Sequence, residues 1–129
     1  MSMLNFPSDR PLDVACLGRL AVDLYAQQIG CSLEEAGSFA KYLGGSSGNM
    51  AFGTARLGLR SAMISRVGNE HNGRFLVETL QREGCDTSQV QVDARRLTGM
   101  VLLGIKDQET FPLLFARENC ADMALDAEA

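Results

Sequence analysis

The chain has 129 residues, 46% hydrophobic and 22% charged, which leaves room for one domain and excludes wholesale disorder. Twelve Lys and Arg against sixteen Asp and Glu give a net charge of −4, too acidic for the broad basic field of a non-specific nucleic-acid binder. No apolar run approaches the roughly 20 residues that cross a bilayer, and the opening MSMLNFPSDRPLD mixes charge and proline where a secretory signal needs an apolar block, so a cytoplasmic protein with no membrane or nucleic-acid partner is expected.

Residues 1–12 read as a polar leader. Residues 13–17, DVACL, form a short apolar run ending at Gly18, which reads as a buried strand entering a tight turn. Residues 20–29 can continue as a second strand, and Ser32-x-x-Glu35 fits a capping box, with a helical turn or a plain loop both open there. Residues 39–43 make a brief strand that runs into the glycine-rich stretch 44–48. A helix is expected over 49–57, where Ala51, Gly53 and Ala55 suit close packing on a sheet and Gly58 stops it.

Residues 59–67 then read as a strand, and Gly68-Asn69 as a turn. A second helix is expected over 73–83, with Phe75, Leu76, Thr79 and Leu80 on one face and His71 left on the preceding loop. Residues 90–92 make a short strand. Residues 98–106 and 111–117 read as two strands of a hairpin around the polar loop 107–110, and the alanine-rich acidic end, 121–129, suits the start of a helix. Strands alternating with helices imply a mostly parallel α/β sheet; the hairpin and the segment around 24–43 fall outside that layer and are assigned to a smaller sheet beside it.

Four cysteines, Cys16, Cys31, Cys85 and Cys120, are widely spaced, with no C-x-x-C pair and a single histidine. They read as small hydrophobes in a reducing compartment, and no metal site is assigned.

Gly44-Gly45-Ser46-Ser47-Gly48-Asn49 is the most informative hexad. It lacks the lysine of a phosphate-binding P-loop, and its glycines miss the spacing of the dinucleotide fingerprint. Two readings stay open: a plain helix N-terminus with a flexible entry, or a pocket for an oxygen-rich ligand, with Asn49 able to donate to and accept from hydroxyls. Asp23 adds a carboxylate just beyond the first strand, at the edge where open α/β sheets bind ligands.

Taken in order, GRLAVDL, GGSSGNMAFGTARLG, SRVGNEHNGRFL, Thr98-Gly99 and FARENCAD resemble the ribokinase-like carbohydrate kinases, the PfkB family, over residues 13–122. Within it, GRLAVDLYAQQIG and FARENCADMALD are most similar to members that act on deoxy sugar acids. The resemblance implies the N-terminal part of a three-layer α/β/α fold with a small β-sheet lid, its strands near 22–43 and 97–117. It places Asp23, Gly44, Gly45 and Asn49 around the sugar hydroxyls and matches Arg117 to a lid arginine that meets the substrate carboxylate. A planar guanidinium suits that task, because it grips a carboxylate with two parallel hydrogen bonds.

The resemblance also implies ATP and Mg2+ as co-substrate and metal, held with the catalytic base by a later Gly-Ala-Gly-Asp segment that this sequence does not contain. No catalytic residue is therefore assigned, the chain alone is expected to be inactive in phosphoryl transfer, and tight ATP binding by it is not expected. An uncovered sheet edge would favour a homo-oligomer. A non-catalytic sugar-binding module, and another sugar as substrate, remain the alternatives.

Overall fold

The computed structural model describes residues 7–129, so the first half of the polar leader lies outside the described residues. Ten elements follow in chain order: β1 (Val14–Leu17), β2 (Ala21–Ala26), β3 (Phe39–Gly44), α1 (Ser46–Arg56), β4 (Ser61–Gly68), α2 (His71–Arg82), β5 (Asp86–Asp93), β6 (Met100–Leu103), β7 (Leu113–Ala116) and a 3₁₀ turn, Ala121–Ala124. They make two sheets. One is parallel, in the order β1-β4-β5; the other is mixed, in the order β3-β2-β6-β7. The second sheet gathers the hairpin and strands from residues 24–43, as expected, but with four strands it is not smaller than the three-stranded parallel sheet beside it.

The core forms where α1 and α2 lie on one face of the parallel sheet. Cys16 and Met63 are register partners, and they meet Ala51 and Ala55 of α1 and Leu76 and Leu80 of α2. The alanines of α1 let that helix approach closely. α2 is amphipathic, with Leu76 and Leu80 one turn apart and fully buried; each such side chain contributes about 1.5–3 kcal/mol through removal from water. Val22, with Leu24, Leu43 and Met100 beside it, joins the inner face of the mixed sheet to the same core.

Several expectations change. β1 is buried on one side only: Cys16 is buried, but Leu17, its neighbour in the pleat, is 63% exposed. α1 starts at Ser46, three residues earlier than the glycines implied, because Gly48 belongs to its first turn. The reason is a close approach: a Cβ on Gly48 would stand 2.8 Å from Leu20 Cδ1. α2 starts at His71, not after it, because Glu70 caps it, its carboxylate accepting from Asn72 N and Gly73 N. At Ser32 half of the capping box is made, Ser32 N donating to Glu35 at 3.1 Å, but only a turn follows. The end of the chain is a 3₁₀ turn and not the first turn of an α-helix; Asp126 N there donates to Gln91 at 3.0 Å, holding the end against β5.

All four cysteines are free, with Cys16, Cys85 and Cys120 buried and Cys31 half-buried. Burial, with Cys16 and Asp86 nearby, pushes the Cys85 thiol up to about 11. A maleimide is therefore expected to modify Cys31 alone in the folded chain and all four thiols in guanidinium, which intact-mass measurement would check.

Candidate functional site

The site grows from the pairing of β2 with β3. Asp23 stands opposite Tyr42, and Ala21 opposite Gly44. Gly44 is where a side chain has no room: a Cβ there would lie 2.2 Å from the Asp23 carboxyl carbon. The carboxylate of Asp23 thus occupies the volume that any other residue at position 44 would fill. Gly45, the N-cap of α1, has φ 88°, and a Cβ on it would lie 2.5 Å from the carbonyl oxygen of Arg19. That same oxygen accepts from Gly48 N at 3.0 Å, and Ser47 Oγ donates to Leu17 O at 2.8 Å. The start of α1 is fastened in this way to the chain that links β1 and β2.

Asp23 and Asn49 line one hollow of about 690 Å³, together with Tyr25, Tyr42, Leu43 and Ile105. The two tyrosine rings meet edge to face at 5.6 Å between centroids. Asp23 is half-buried, and loss of water pushes its carboxyl above the ordinary range, opposed by the nearby charge of Arg19. A carboxylate and an amide facing an open hollow with aromatic walls can hold a polyhydroxylated ligand, the carboxylate accepting from hydroxyls and the amide doing both.

Of the five residues expected at the site, Asp23 and Asn49 line the hollow, Gly44 lies against the Asp23 carboxylate, and Gly45 follows it in the turn, against Arg19. Arg117 is placed apart, just beyond β7. Its Nη2 donates to Asp122 Oδ2 at 2.5 Å, its Nε is buried without an acceptor, and its stem lies against Gly99, where a Cβ would be 3.2 Å away. No group of three or more His, Cys, Asp or Glu that could hold a metal ion is present among the described residues, so no Mg2+ position is assigned to this chain's side chains.

Two residues escaped the sequence reading. Glu70 gathers Asn72 N, Gly73 N, Thr98 N and the Thr98 hydroxyl on one carboxylate; its signal was only a glutamate after Gly68-Asn69, and glutamate is not a common cap. Arg19 lies inside the stretch GRLAVDL, but nothing in the letters shows that its Nε is buried without a partner.

Residues 11–128 match the sequence pattern described as pfkB family carbohydrate kinase. Among curated proteins, the chain is 41% identical over 127 residues to a 5-dehydro-2-deoxygluconokinase of Geobacillus thermodenitrificans, covering 98% of this chain and 38% of that protein. Among solved structures, it superposes on a fructokinase of Halothermothrix orenii with a TM-score of 0.79 at 36% identity, covering 89% of this chain and 40% of that one. A sugar kinase of Pyrococcus horikoshii in complex with ATP gives a TM-score of 0.77 at 33% identity, covering 83% and 35%. The chain spans about two fifths of the length of the curated relatives it matches.

Proposed function

The chain belongs to the pfkB family of carbohydrate kinases, and from that premise we propose that it is the substrate-binding N-terminal part of an ATP-dependent sugar-acid kinase, acting on 5-dehydro-2-deoxygluconate in inositol catabolism. The observation that carries this reading is the hollow shared by Asp23 and Asn49, with Gly44 clearing the space in which the carboxylate sits. Asp23 accepts hydrogen bonds from sugar hydroxyls, and Asn49 donates and accepts beside it. The mixed sheet, β3-β2-β6-β7, acts as a lid whose outer face lies over the sugar and excludes water, which protects a phosphoryl donor from hydrolysis. Arg117 exchanges part of its contact with Asp122 for the substrate carboxylate, its free Nε–H being the donor in hand.

Mg2+-bound ATP supplies the phosphoryl group that is transferred to a sugar hydroxyl. This chain's residues bind and orient the acceptor; no group among them is assigned as the base, and the 129-residue chain alone is inactive in transfer. Titration calorimetry with 5-dehydro-2-deoxygluconate tests the reading. Asp23→Asn, which keeps the side-chain shape, is expected to weaken binding about tenfold or more, the worth of a hydrogen bond to a charged group. Binding unaffected by Asp23→Asn would reject the site, and tighter binding of 2-keto-3-deoxygluconate would move the substrate. ATP-dependent turnover by this chain would reject its inactivity.

Self-association belongs to the same proposal. β1 and β5 each have an edge with no strand partner among the described residues, and Leu113 and Phe115 on β7 are half-exposed. Light scattering is expected to give the mass of a dimer or larger species; a monomer mass over a wide concentration range would contradict it.

A further inference from the structure

Arg19 is the strongest feature of the molecule to which the proposed function gives no role. The two glycines of the turn clear room for the two charged residues beside it: Gly44 for the Asp23 carboxylate, and Gly45 first for the backbone carbonyl of Arg19, 2.5 Å from a Cβ there, with the Arg19 Cγ at 3.2 Å. From that turn the side chain reaches across the mixed sheet, and its guanidinium lies 5.8 Å from the centroid of the Phe115 ring. The register puts Phe115 opposite Val101, Val101 opposite Asp23, and Asp23 opposite Tyr42. Residues in register share a face of the sheet, so Phe115 and Asp23 face the same side, and the Arg19 guanidinium, set against Phe115, is near enough for its charge to act on the Asp23 carboxylate.

This cation is not consumed by the protein. Its Nε is buried without a hydrogen-bond partner, and Arg19 makes no ion pair among those of the described residues. A buried N–H donor with no acceptor is costly, and an arriving acceptor removes that cost. Packing on Phe115 and long-range attraction to Asp23 would be satisfied without leaving that donor bare. A second negative charge brought next to Asp23 would be repelled unless a cation lay nearby, and Arg19 is a cation held in that place.

We infer that Arg19 is a specificity-determining residue, its guanidinium donating to the carboxylate of the sugar acid while Asp23 takes a hydroxyl. The inference rests on the sugar-acid reading and adds a second arginine to Arg117. The two guanidiniums approach from different sides: Arg19 from the Gly45 turn, Arg117 from beside Gly99. A carboxylate has two oxygens and four acceptor sites, enough for both.

The test compares 5-dehydro-2-deoxygluconate with its uncharged amide by calorimetry, on the 129-residue chain and on Arg19→Met and Arg19→Lys. Methionine keeps an unbranched stem against Phe115 and removes every donor; lysine keeps the charge without the planar fork. Arg19→Met is expected to weaken the acid about 10–100-fold and the amide less than threefold, with Arg19→Lys in between. In 15N spectra of the wild type, the Arg19 Nε–H resonance is expected to move with the acid and stay with the amide. Equal losses for acid and amide in Arg19→Met, or an unmoved Nε–H resonance on saturation with acid, would overturn the inference while leaving the sugar-acid reading intact. No Asp23-dependent binding of the acid by the wild type would overturn both. Arg19-dependent binding of inorganic phosphate with none of the acid would also overturn the inference, because the cation would then serve a phosphate.

Discussion

Gly44→Ala is expected to abolish binding of the sugar acid and to destabilise the chain, and both effects should vanish into those of Asp23→Ala when the two changes are combined. The added methyl would stand 2.2 Å from the Asp23 carboxyl carbon and 2.4 Å from Oδ2, contacts that no real Cβ makes. Gly44 is not among the glycines with positive φ, so alanine carries no backbone strain there, and the whole effect is the collision with one side chain. Either Asp23 swings out of its place or β2 and β3 part, at a cost of about 1–3 kcal/mol typical of overpacking. Removing the carboxylate as well frees that volume. Thermal unfolding of the two single variants and the double variant gives the coupling directly. Gly44→Ala alone should be the least stable of the three, and Gly44→Ala with Asp23→Ala should match Asp23→Ala. Additive losses would show that Gly44 serves something other than Asp23. Gly53→Ala is the control: nothing lies within 4 Å of its Cβ, and in the interior of α1 alanine should stabilise by about 0.5–1 kcal/mol.

That pair of residues also marks how far the sequence could be read. The apolar runs gave β1, β2, β3 and β4 within a few residues, because a buried strand needs little beyond β-branched and aliphatic side chains at the right length. Glycines misled at α1. Gly44 to Gly48 read as a loop, whereas Gly48 lies inside the helix because Leu20 and the Arg19 carbonyl come too close for a side chain. A close approach and a flexible turn use the same letter. The start of α2 was hidden for a different reason, since the Glu70 carboxylate that caps it accepts from a donor set that includes Thr98, twenty-eight residues on.

The candidate site divides along the same line. Asp23 and Asn49 were legible because each follows a local break, a strand end or a glycine stretch, and both line the hollow. The partner of Arg117 was not: Asp122 reaches it only because the chain reverses at Asn119, whose φ is 49°. Nor was Arg19, since a donor without an acceptor is a property of the folded surroundings and leaves no mark in the sequence.

Glu70→Ala is expected to cost on the order of 2–4 kcal/mol, the loss of a helix cap together with the hydrogen bonds of a second element. Its carboxylate accepts from Asn72 N at 2.7 Å, from Gly73 N and Thr98 N at 3.2 Å, and from the Thr98 hydroxyl. The Thr98 oxygen accepts in turn from Gly68 N at 3.0 Å. One side chain therefore ties the end of β4, the start of α2 and the approach to β6. For a chain of this size each kcal/mol lowers the melting temperature by roughly 3–5 °C, so the change should be plain in a thermal scan. Glu70→Gln separates charge from shape: it keeps one acceptor oxygen but turns an NH2 group toward a backbone N–H, and it should recover only part of the loss.

The same site sets a pH dependence. Burial pushes the Glu70 carboxyl up, but the Thr98 hydroxyl and the N–H groups of Asn72, Thr98 and Gly73 outweigh it and hold it below the ordinary range. Asp93 is held well below that range by the N–H groups of Arg95 and Arg96, against burial, with the Arg96 and Arg66 side chains adding to the effect. Groups whose folded pKa is depressed contribute stability that is complete above the unfolded value, about 4 for carboxyls, and lost as pH falls through the folded one. Wild-type melting temperature should therefore be level from neutral pH down to about 5 and fall below it. Glu70→Gln should start lower and fall less steeply, since one of the protonating groups has been removed. Equal melting temperatures at pH 7 together with equal slopes below pH 5 would show that the hydrogen bonds on Glu70 do not hold β4, α2 and β6 together.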